Sequence, residues 1–238
     1  MPRAYYNDSD KYAAQWLRNL IDAGVVADGD VDCRSIRDVT AGDLHGYTQH
    51  HFFAGVGGWS LALRLAGWPD DEPVWTGSCP CQPWSKAGRR GGAGDHRHLW
   101  PAWFRLVREY RPAIILGEQV AGAWVWLDGV FADLEAIGYA CGAADLPAAS
   151  VGSLQDRPRL WFLSYPEGKR RQRWTGLREG HTQFDGAFAR YGAWWNAEPN
   201  VARVANGIPA GVDQRRAFGN AIVPQLAAEF ILAAAQAA

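Results

Sequence analysis

The stretch of the chain whose residue types could best do chemistry is Ser78–Ser85, which contains Cys81 between a proline and a glutamine. An apolar run at 73–76 leads into it and predicts a short buried strand, and the prolines at 80 and 83 predict that regular structure stops there. A glycine-rich, basic segment follows at 86–94. A thiol at a strand end beside a cationic loop is suited to nucleophilic attack on a nucleic acid. The alternative is a small buried hydrophobe, since most free cysteines are buried.

Three charged residues elsewhere stand next to apolar segments. The near-continuous apolar run at 112–117 is typical of a strand inside a parallel sheet, and it places Glu118 at the carboxyl end, where open α/β sheets bind ligands. Arg157 and Arg159 directly precede another apolar run at 160–163. These types permit proton transfer by the carboxyl group and stabilisation of negative charge by the arginines. A simple ion pair or two surface arginines are the alternatives.

The elements that must position these residues alternate between strands and helices. A predicted strand at 48–53, a glycine-rich turn at 54–60 and a helix at 61–66 form the geometry that lets backbone amides approach a nucleotide-like ligand, although many tight turns share it. We predict further helices at 12–23, 99–110, 127–137 and 225–235, and further strands at 3–6, 35–39, 139–143 and 160–163. This alternation predicts an α/β fold with a mostly parallel sheet.

Length and composition narrow the function classes. The 238 residues suffice for one core domain with a small lobe, and we predict a core domain at 1–163, a small irregular lobe at 164–217, and a closing turn and helix at 218–238. A net charge of -1 requires any nucleic-acid surface to be a local patch. The absence of a long apolar run and of a secretory leader, with four cysteines lacking paired spacing, favours the cytoplasm. The cysteines and histidines are not spaced as metal ligands, so we expect no metal.

Four motifs in one order resemble the cytosine-C5 DNA methyltransferase family: Phe53–Gly58, Pro80–Gln82, Gln155–Arg159 and Gly219–Pro224. Glu118–Val120 takes the place of the family's Glu-Asn-Val, with glutamine for asparagine. The resemblance implies a Rossmann-like, S-adenosylmethionine-dependent methyltransferase similar to small phage and prophage enzymes. It assigns Cys81 as the nucleophile that adds to C6 of cytosine and Glu118 as the group that protonates N3. It also assigns Arg159 to the cytosine O2 region and Arg157 as a brace of the site.

One departure from the family pattern concerns the cofactor motifs that normally lie between the glycine loop and the cysteine. Too few residues separate Gly58 from Cys81 for two strand–helix units, but Asn7–Ala13 resembles the missing acidic motif and Ser35–Val39 the next one. We therefore predict a local permutation, in which these two units precede the glycine loop in the chain but keep their places in the sheet. Asp8 replaces the usual glutamate and would bind the ribose hydroxyls.

The resemblance also implies two sets of contacts. The expected cofactor contacts are Asp8, Ser9, Ser35, Ile36, Phe53, Ala54, Gly55, Gly57, Gly58, Pro80, Leu99, Asn220 and Ala221. Phe53 would stack on adenine, and the glycines would admit the methionine end. The expected contacts to double-stranded DNA, with the target cytosine flipped out of the helix, are Gln82, Ser85, Lys86, Arg89, Arg90, Arg97, Lys169, Arg170, Arg171 and Arg173. We expect a monomer without membrane contact, and a partner restriction endonuclease stays open.

Three alternatives remain at this point. An RNA cytosine-C5 methyltransferase would use the same chemistry, and the basic lobe fits either substrate. A catalytically silent DNA-binding homologue is a second alternative, which the intact Cys81, Glu118, Arg157 and Arg159 disfavour. A Rossmann-type oxidoreductase would need the glycine loop, but neither the Pro-Cys-Gln motif nor the paired arginines.

Overall fold

The computed structural model describes residues 3–80, 99–151, 156–168 and 221–236. These residues form one seven-stranded sheet flanked by helices, which confirms the predicted α/β class. The strands are β1 (Ala4–Asn7), β2 (Gly29–Asp32), β3 (Gln49–Phe52), β4 (Val74–Gly77), β5 (Ile115–Val120), β6 (Tyr139–Pro147) and β7 (Pro158–Pro166). The helices are α1 (Lys11–Asp22), α2 (Gly58–Leu65), α3 (Trp100–Tyr110), α4 (Trp124–Ala136) and α5 (Pro224–Gln236). None of these helices combines the length and the apolar character needed to cross a membrane.

The sheet has the strand order β2-β1-β3-β4-β5-β7-β6. The first five strands in this order are parallel, and β7 lies antiparallel between β5 and β6. One row of paired residues crosses four parallel strands at Asn7, Phe52, Gly77 and Gly117. The next residues along those strands therefore meet on one carboxyl edge of the sheet: Asp8, Phe53, Ser78 and Glu118.

Both faces of the sheet are covered by apolar side chains. The face under α1, α2 and α5 includes Trp59 and Trp161, whereas the face under α3 and α4 includes Trp103 and Phe162. Because successive residues of a strand point to opposite faces, Trp161 and Phe162 of β7 lie in different cores. Gly117 is required on β5, since a side chain there would overlap the ring of Phe162.

Most predicted elements are confirmed, with shifts at their ends. The predicted strand at 35–39 is wrong: these residues form a turn, and β2 lies earlier, at Gly29–Asp32. Ile36 and Val39 are buried because the turn folds against the core, so their apolar character does not arise from strand alternation. β7 continues through Ser164–Pro166, so the predicted start of the lobe falls inside this strand.

Candidate active site

Glu118 is the most buried carboxyl group at the carboxyl edge described above, with 7% of its surface exposed. It pairs with Trp161 across the β5–β7 ladder, and Val120 pairs with Arg159. Arg159 is thus diagonal to Glu118 on the same face, and its Nε lies 3.0 Å from Glu118 Oε1. Burial raises the pKa of Glu118, and the charge of Arg159 opposes this rise. The protonated form of this carboxyl group is therefore more favoured than it would be in water.

Ser78 supplies a second hydrogen bond to the Glu118 carboxylate. It follows β4 directly, and because Gly77 pairs with Gly117, it lies beside Glu118 on the neighbouring strand. The indole Nε1 of Trp59 donates a hydrogen bond of 3.1 Å to the hydroxyl oxygen of Ser78. Our sequence reasoning assigned no role to Ser78 or Trp59. The sequence feature that could have pointed to Ser78 is its position inside the cysteine-containing stretch.

Arg157 joins the segment before β7 to the residues that directly precede α5. Its backbone has φ 37°, in the left-handed region, and its Nη2 donates a hydrogen bond of 2.6 Å to the carbonyl oxygen of Ala221. Burial lowers the pKa of Arg157, as does the charge of Arg159, whereas the charge of Glu118 raises it. Arg157 therefore contributes positive charge near Glu118 while it fixes the entry to the last helix.

Asp8 lies against the glycine turn, as the permutation requires. Its Oδ2 accepts a hydrogen bond of 2.7 Å from the backbone amide of Gly55, and its Oδ1 accepts one of 2.9 Å from the amide of Asp10. This contact exists because β1 pairs in parallel with β3. Gly55 has φ 53°, and a Cβ built on it would have no atom of the described residues within 4 Å. Since a carboxylate offers about four acceptor positions, Asp8 can accept further bonds from a ribose diol beside this open space.

The remaining glycines of the turn have a different reason to lack a side chain. A Cβ on Gly58 would lie 2.7 Å from Cγ1 of Ile222, and one on Gly57 would lie 3.2 Å from Cδ1 of Leu20. A side chain at either position would meet packed protein, which the sequence pattern does not indicate. That Gly57 and Gly58 admit the methionine end of the cofactor stays a prediction, as do cofactor contacts through their backbone amides.

The other predicted cofactor contacts have varied surroundings. Phe53 has φ 51° and its ring meets Trp103 edge to face at 6.0 Å, while Ile36 is 3% exposed and lies in the core under α3. Leu99 directly precedes α3. Ala54 is buried, Ser35 and Ala221 are partly buried, and Ser9 and Pro80 are exposed.

Asp32 was missed by sequence reasoning, although it lies at the carboxyl end of β2. It pairs with Asn7 of β1 and is therefore near Asp8. Burial raises its pKa, but hydrogen bonds from Arg34 and Tyr5 outweigh burial, and the pKa of Asp32 is lowered. The residues around Asp32 are mostly charged and lack the apolar alternation that predicts a strand, so the sequence did not indicate where β2 ends.

Several predicted residues lie outside the described ranges: Cys81, Gln82, Ser85, Lys86, Arg89, Arg90, Arg97, Lys169, Arg170, Arg171, Arg173 and Asn220. Cys81 is the next residue in the chain after Pro80, which ends the described segment that carries Ser78. Among the described residues, no group of three or more His, Cys, Asp or Glu side chains is arranged to hold a metal ion.

Comparison with known proteins gives the following similarities. The family model of C-5 cytosine-specific DNA methylases matches residues 68–186. The Type II methyltransferase M.AgeI of Thalassovita gelatinovora is 34% identical over 107 residues, which are 43% of this chain and 25% of that protein. The Type II methyltransferase M.NgoMIV of Neisseria gonorrhoeae is 36% identical over 103 residues, 40% of this chain and 32% of that protein.

The matched part of the chain thus spans about a quarter to a third of the length of these relatives. Among solved structures, the Dnmt2 methyltransferase of S. pombe aligns with a TM-score of 0.43 and 15% identity. That alignment covers 78% of this chain and 58% of that one.

Proposed function

The chain belongs to the C-5 cytosine-specific DNA methylase family, and we propose that it transfers a methyl group from S-adenosylmethionine to C5 of cytosine in double-stranded DNA. The observation that carries this proposal is the environment of Glu118. Its carboxyl group is buried, its pKa is raised by burial, and it contacts Arg159 and Ser78. It stands beside the strand that leads into the Pro-Cys-Gln motif at 80–82.

The chemistry needs these residue types because C5 of cytosine is a poor nucleophile. In the proposed reaction, the Cys81 thiolate forms a bond to C6, and the electron pair of the C5–C6 double bond moves into the ring toward N3 and O2. Protonated Glu118 gives its proton to N3, and Arg159 stabilises negative charge near O2. C5 is then an enamine carbon that would form a bond to the methyl group, while the sulfonium S–CH3 bond breaks and its electron pair stays on the sulfur of the product S-adenosylhomocysteine. Loss of the C5 proton to a base, for which solvent water is the candidate, expels the thiolate and restores the ring.

The described residues also fit the cofactor. S-adenosylmethionine, when bound, supplies an electrophilic methyl group. Asp8 would accept hydrogen bonds from the ribose hydroxyls while its contacts to Gly55 and Asp10 fix its orientation. The described part of the chain leaves space at Gly55 for a ligand to approach the backbone, and Phe53 would stack on adenine.

The target cytosine is inside the duplex and must be flipped out before a thiolate can reach C6. We propose that the segment at 85–98 contacts phosphates through Arg89, Arg90 and Arg97, and that the lobe that follows β7 reads a short site in the major groove. The protein would act as a monomer in the cytoplasm.

The test compares purified wild-type protein with Cys81→Ser and Glu118→Gln, using S-adenosylmethionine with a labelled methyl group, and duplex DNA or tRNA. We expect methylated cytosine in DNA from the wild type, none from Cys81→Ser, and a loss of at least about 100-fold for Glu118→Gln. Cys79→Ala is the matched control, because Cys79 is buried two residues away and burial raises its pKa. Methylation of tRNA without methylation of DNA, or full activity of Cys81→Ser, would refute the proposal.

A further inference from the structure

We propose that Ser78 is a positioning residue that holds the carboxyl group of Glu118 by hydrogen bonding, and that Trp59 fixes the direction of this bond. The inference rests on the proposed function, in which Glu118 exchanges a proton with cytosine. Two contacts carry it: Trp59 Nε1 to Ser78 Oγ at 3.1 Å, and the side-chain hydrogen bond between Ser78 and Glu118.

Proton counting gives the bond its direction. An indole N–H can only donate, and a serine hydroxyl has a single hydrogen. Because Trp59 donates to the oxygen of Ser78, the hydroxyl hydrogen of Ser78 is left to point at the carboxylate of Glu118. Glu118 thereby has a neutral donor on the β4 side in addition to the Arg159 guanidinium on the β7 side.

The two donors oppose the effect of burial on Glu118. Burial favours the protonated carboxyl, whereas the charge of Arg159 and the bond from Ser78 favour the carboxylate. A group that gives a proton to N3 and regains one in each cycle needs both forms to be accessible. Ser78 therefore keeps the carboxylate form available at a buried position.

The tryptophan that directs Ser78 is itself held in place. Its ring meets Trp161 edge to face, with centroids 5.5 Å apart and an interplanar angle of 77°. Trp161 is the residue that pairs with Glu118 across the β5–β7 ladder. Glu118, Ser78, Trp59 and Trp161 thus contact one another in sequence, and the strand pairing of Trp161 with Glu118 completes the ring of contacts.

The test is an infrared difference titration of the protein without DNA or cofactor, in which Glu118→Gln identifies the carboxyl band of Glu118. We expect the titration midpoint of Glu118 in Ser78→Ala to rise by about one pH unit, because a bond to the charged form is lost. Trp59→Phe should give a smaller rise, and Ser78→Thr should restore the wild-type midpoint. Ser164→Ala is the matched control, because this buried serine of β7 donates its hydroxyl to Cys141 instead.

An unchanged midpoint in Ser78→Ala, or an equal shift in Ser164→Ala, would overturn the inference. Activity gives a second readout, since the alkaline limb of single-turnover methylation that reports protonated Glu118 should move upward by the same amount in Ser78→Ala. A shifted titration in a protein that methylates nothing would refute the proposed function and leave the positioning role standing. Methylation with an unshifted titration would refute the positioning role alone.

Discussion

The variant Gly58→Ala tests whether the glycine turn needs Gly58 for packing or for binding the cofactor. Gly58 is the first residue of α2, and a methyl group built on it would lie 2.7 Å from Cγ1 of Ile222. Carbon atoms prefer about 3.5 Å, so the two segments would have to separate by roughly 0.8 Å. Overpacking of this kind costs about 1–3 kcal/mol, against about 1 kcal/mol gained in helix propensity. We expect the free energy of unfolding to fall by about 1 kcal/mol.

A double-mutant cycle with Ile222→Ala tests the cause. Ile222→Ala alone should cost about 2–4 kcal/mol, because it leaves a cavity. In the double variant the new methyl group at 58 occupies part of that cavity, so the combined loss should be smaller than the sum by about 1–2 kcal/mol. Gly129→Ala is the matched control: it lies within α4, and a Cβ there meets no atom within 4 Å among the residues that the structure describes. It should stabilise the protein by up to about 1 kcal/mol.

The same cycle has a functional readout. Ile222 follows Ala221, whose carbonyl oxygen accepts the hydrogen bond from Arg157. Displacement of this segment by Gly58→Ala should therefore weaken the Arg157 contact and slow methylation, and Ile222→Ala should recover part of the rate. Denaturant unfolding of the four proteins and calorimetric titration with S-adenosylmethionine provide the measurements. Additive unfolding energies, or a loss of cofactor affinity that Ile222→Ala does not restore, would refute the packing explanation.

Three further predictions follow from the site and the core. Asp8→Asn should weaken S-adenosylmethionine binding and lower the free energy of unfolding by about 1 kcal/mol, since an amide nitrogen cannot accept a backbone hydrogen bond. Calorimetry measures the affinity and urea unfolding measures the stability. An unchanged affinity would contradict the prediction. Arg159→Lys should slow single-turnover methylation by about 10- to 100-fold, because the ammonium group does not reproduce the Nε contact to Glu118; an unchanged rate would refute this. Burial lowers the pKa of His50 to about 4 and that of His51 to about 3. The contribution of these neutral histidines to the free energy of unfolding is therefore fully present above about pH 6.5 and falls below it, by about 3 kcal/mol at pH 4 from His50 alone. His50→Phe should make the free energy of unfolding, measured with urea, depend less on pH in this range. An unchanged pH dependence would argue against the assignment.

The positions of Glu118 and Asp8 were predictable because each lies at the carboxyl end of a strand that is marked in the sequence. A run of apolar residues precedes Glu118, and a pattern typical of a helix begins just after Asp8. The carboxyl ends of parallel strands lie at the same edge of a sheet, so both acids were expected at that edge. The hydrogen bond from Gly55 to Asp8 could not be predicted, because it depends on how β1 and β3 align.

The role of Ser78 was not predictable for a related reason. A serine after a strand is an ordinary turn residue. Its function follows only from its two neighbours, Trp59 on α2 and Glu118 on β5, which are distant in the sequence and meet through the β4–β5 pairing. The packing role of Gly58 could not be predicted from the sequence either. A glycine-rich turn before a helix suggests a ligand, whereas the close approach of Ile222 exists only in the folded chain.

The segment that the sequence pattern misassigned as a strand is also the connection that makes the permuted order possible. After β2, which ends one side of the sheet, the chain must return past β1 to form β3 in parallel with it. Residues 33–48 make this return on the face covered by α3, where Ile36, Val39 and Leu44 are buried in the core.

The return segment is fastened by Arg105 of α3, whose Nη2 donates a hydrogen bond of 2.6 Å to the carbonyl oxygen of Val39. The connection from β1 to β2 runs through α1 on the opposite face, with Leu17 and Leu20 in that core. The two crossings therefore use different faces and do not compete for space. Since ligand contacts depend on where parallel strands end and not on the order in which the chain visits them, the permutation can leave the carboxyl edge intact.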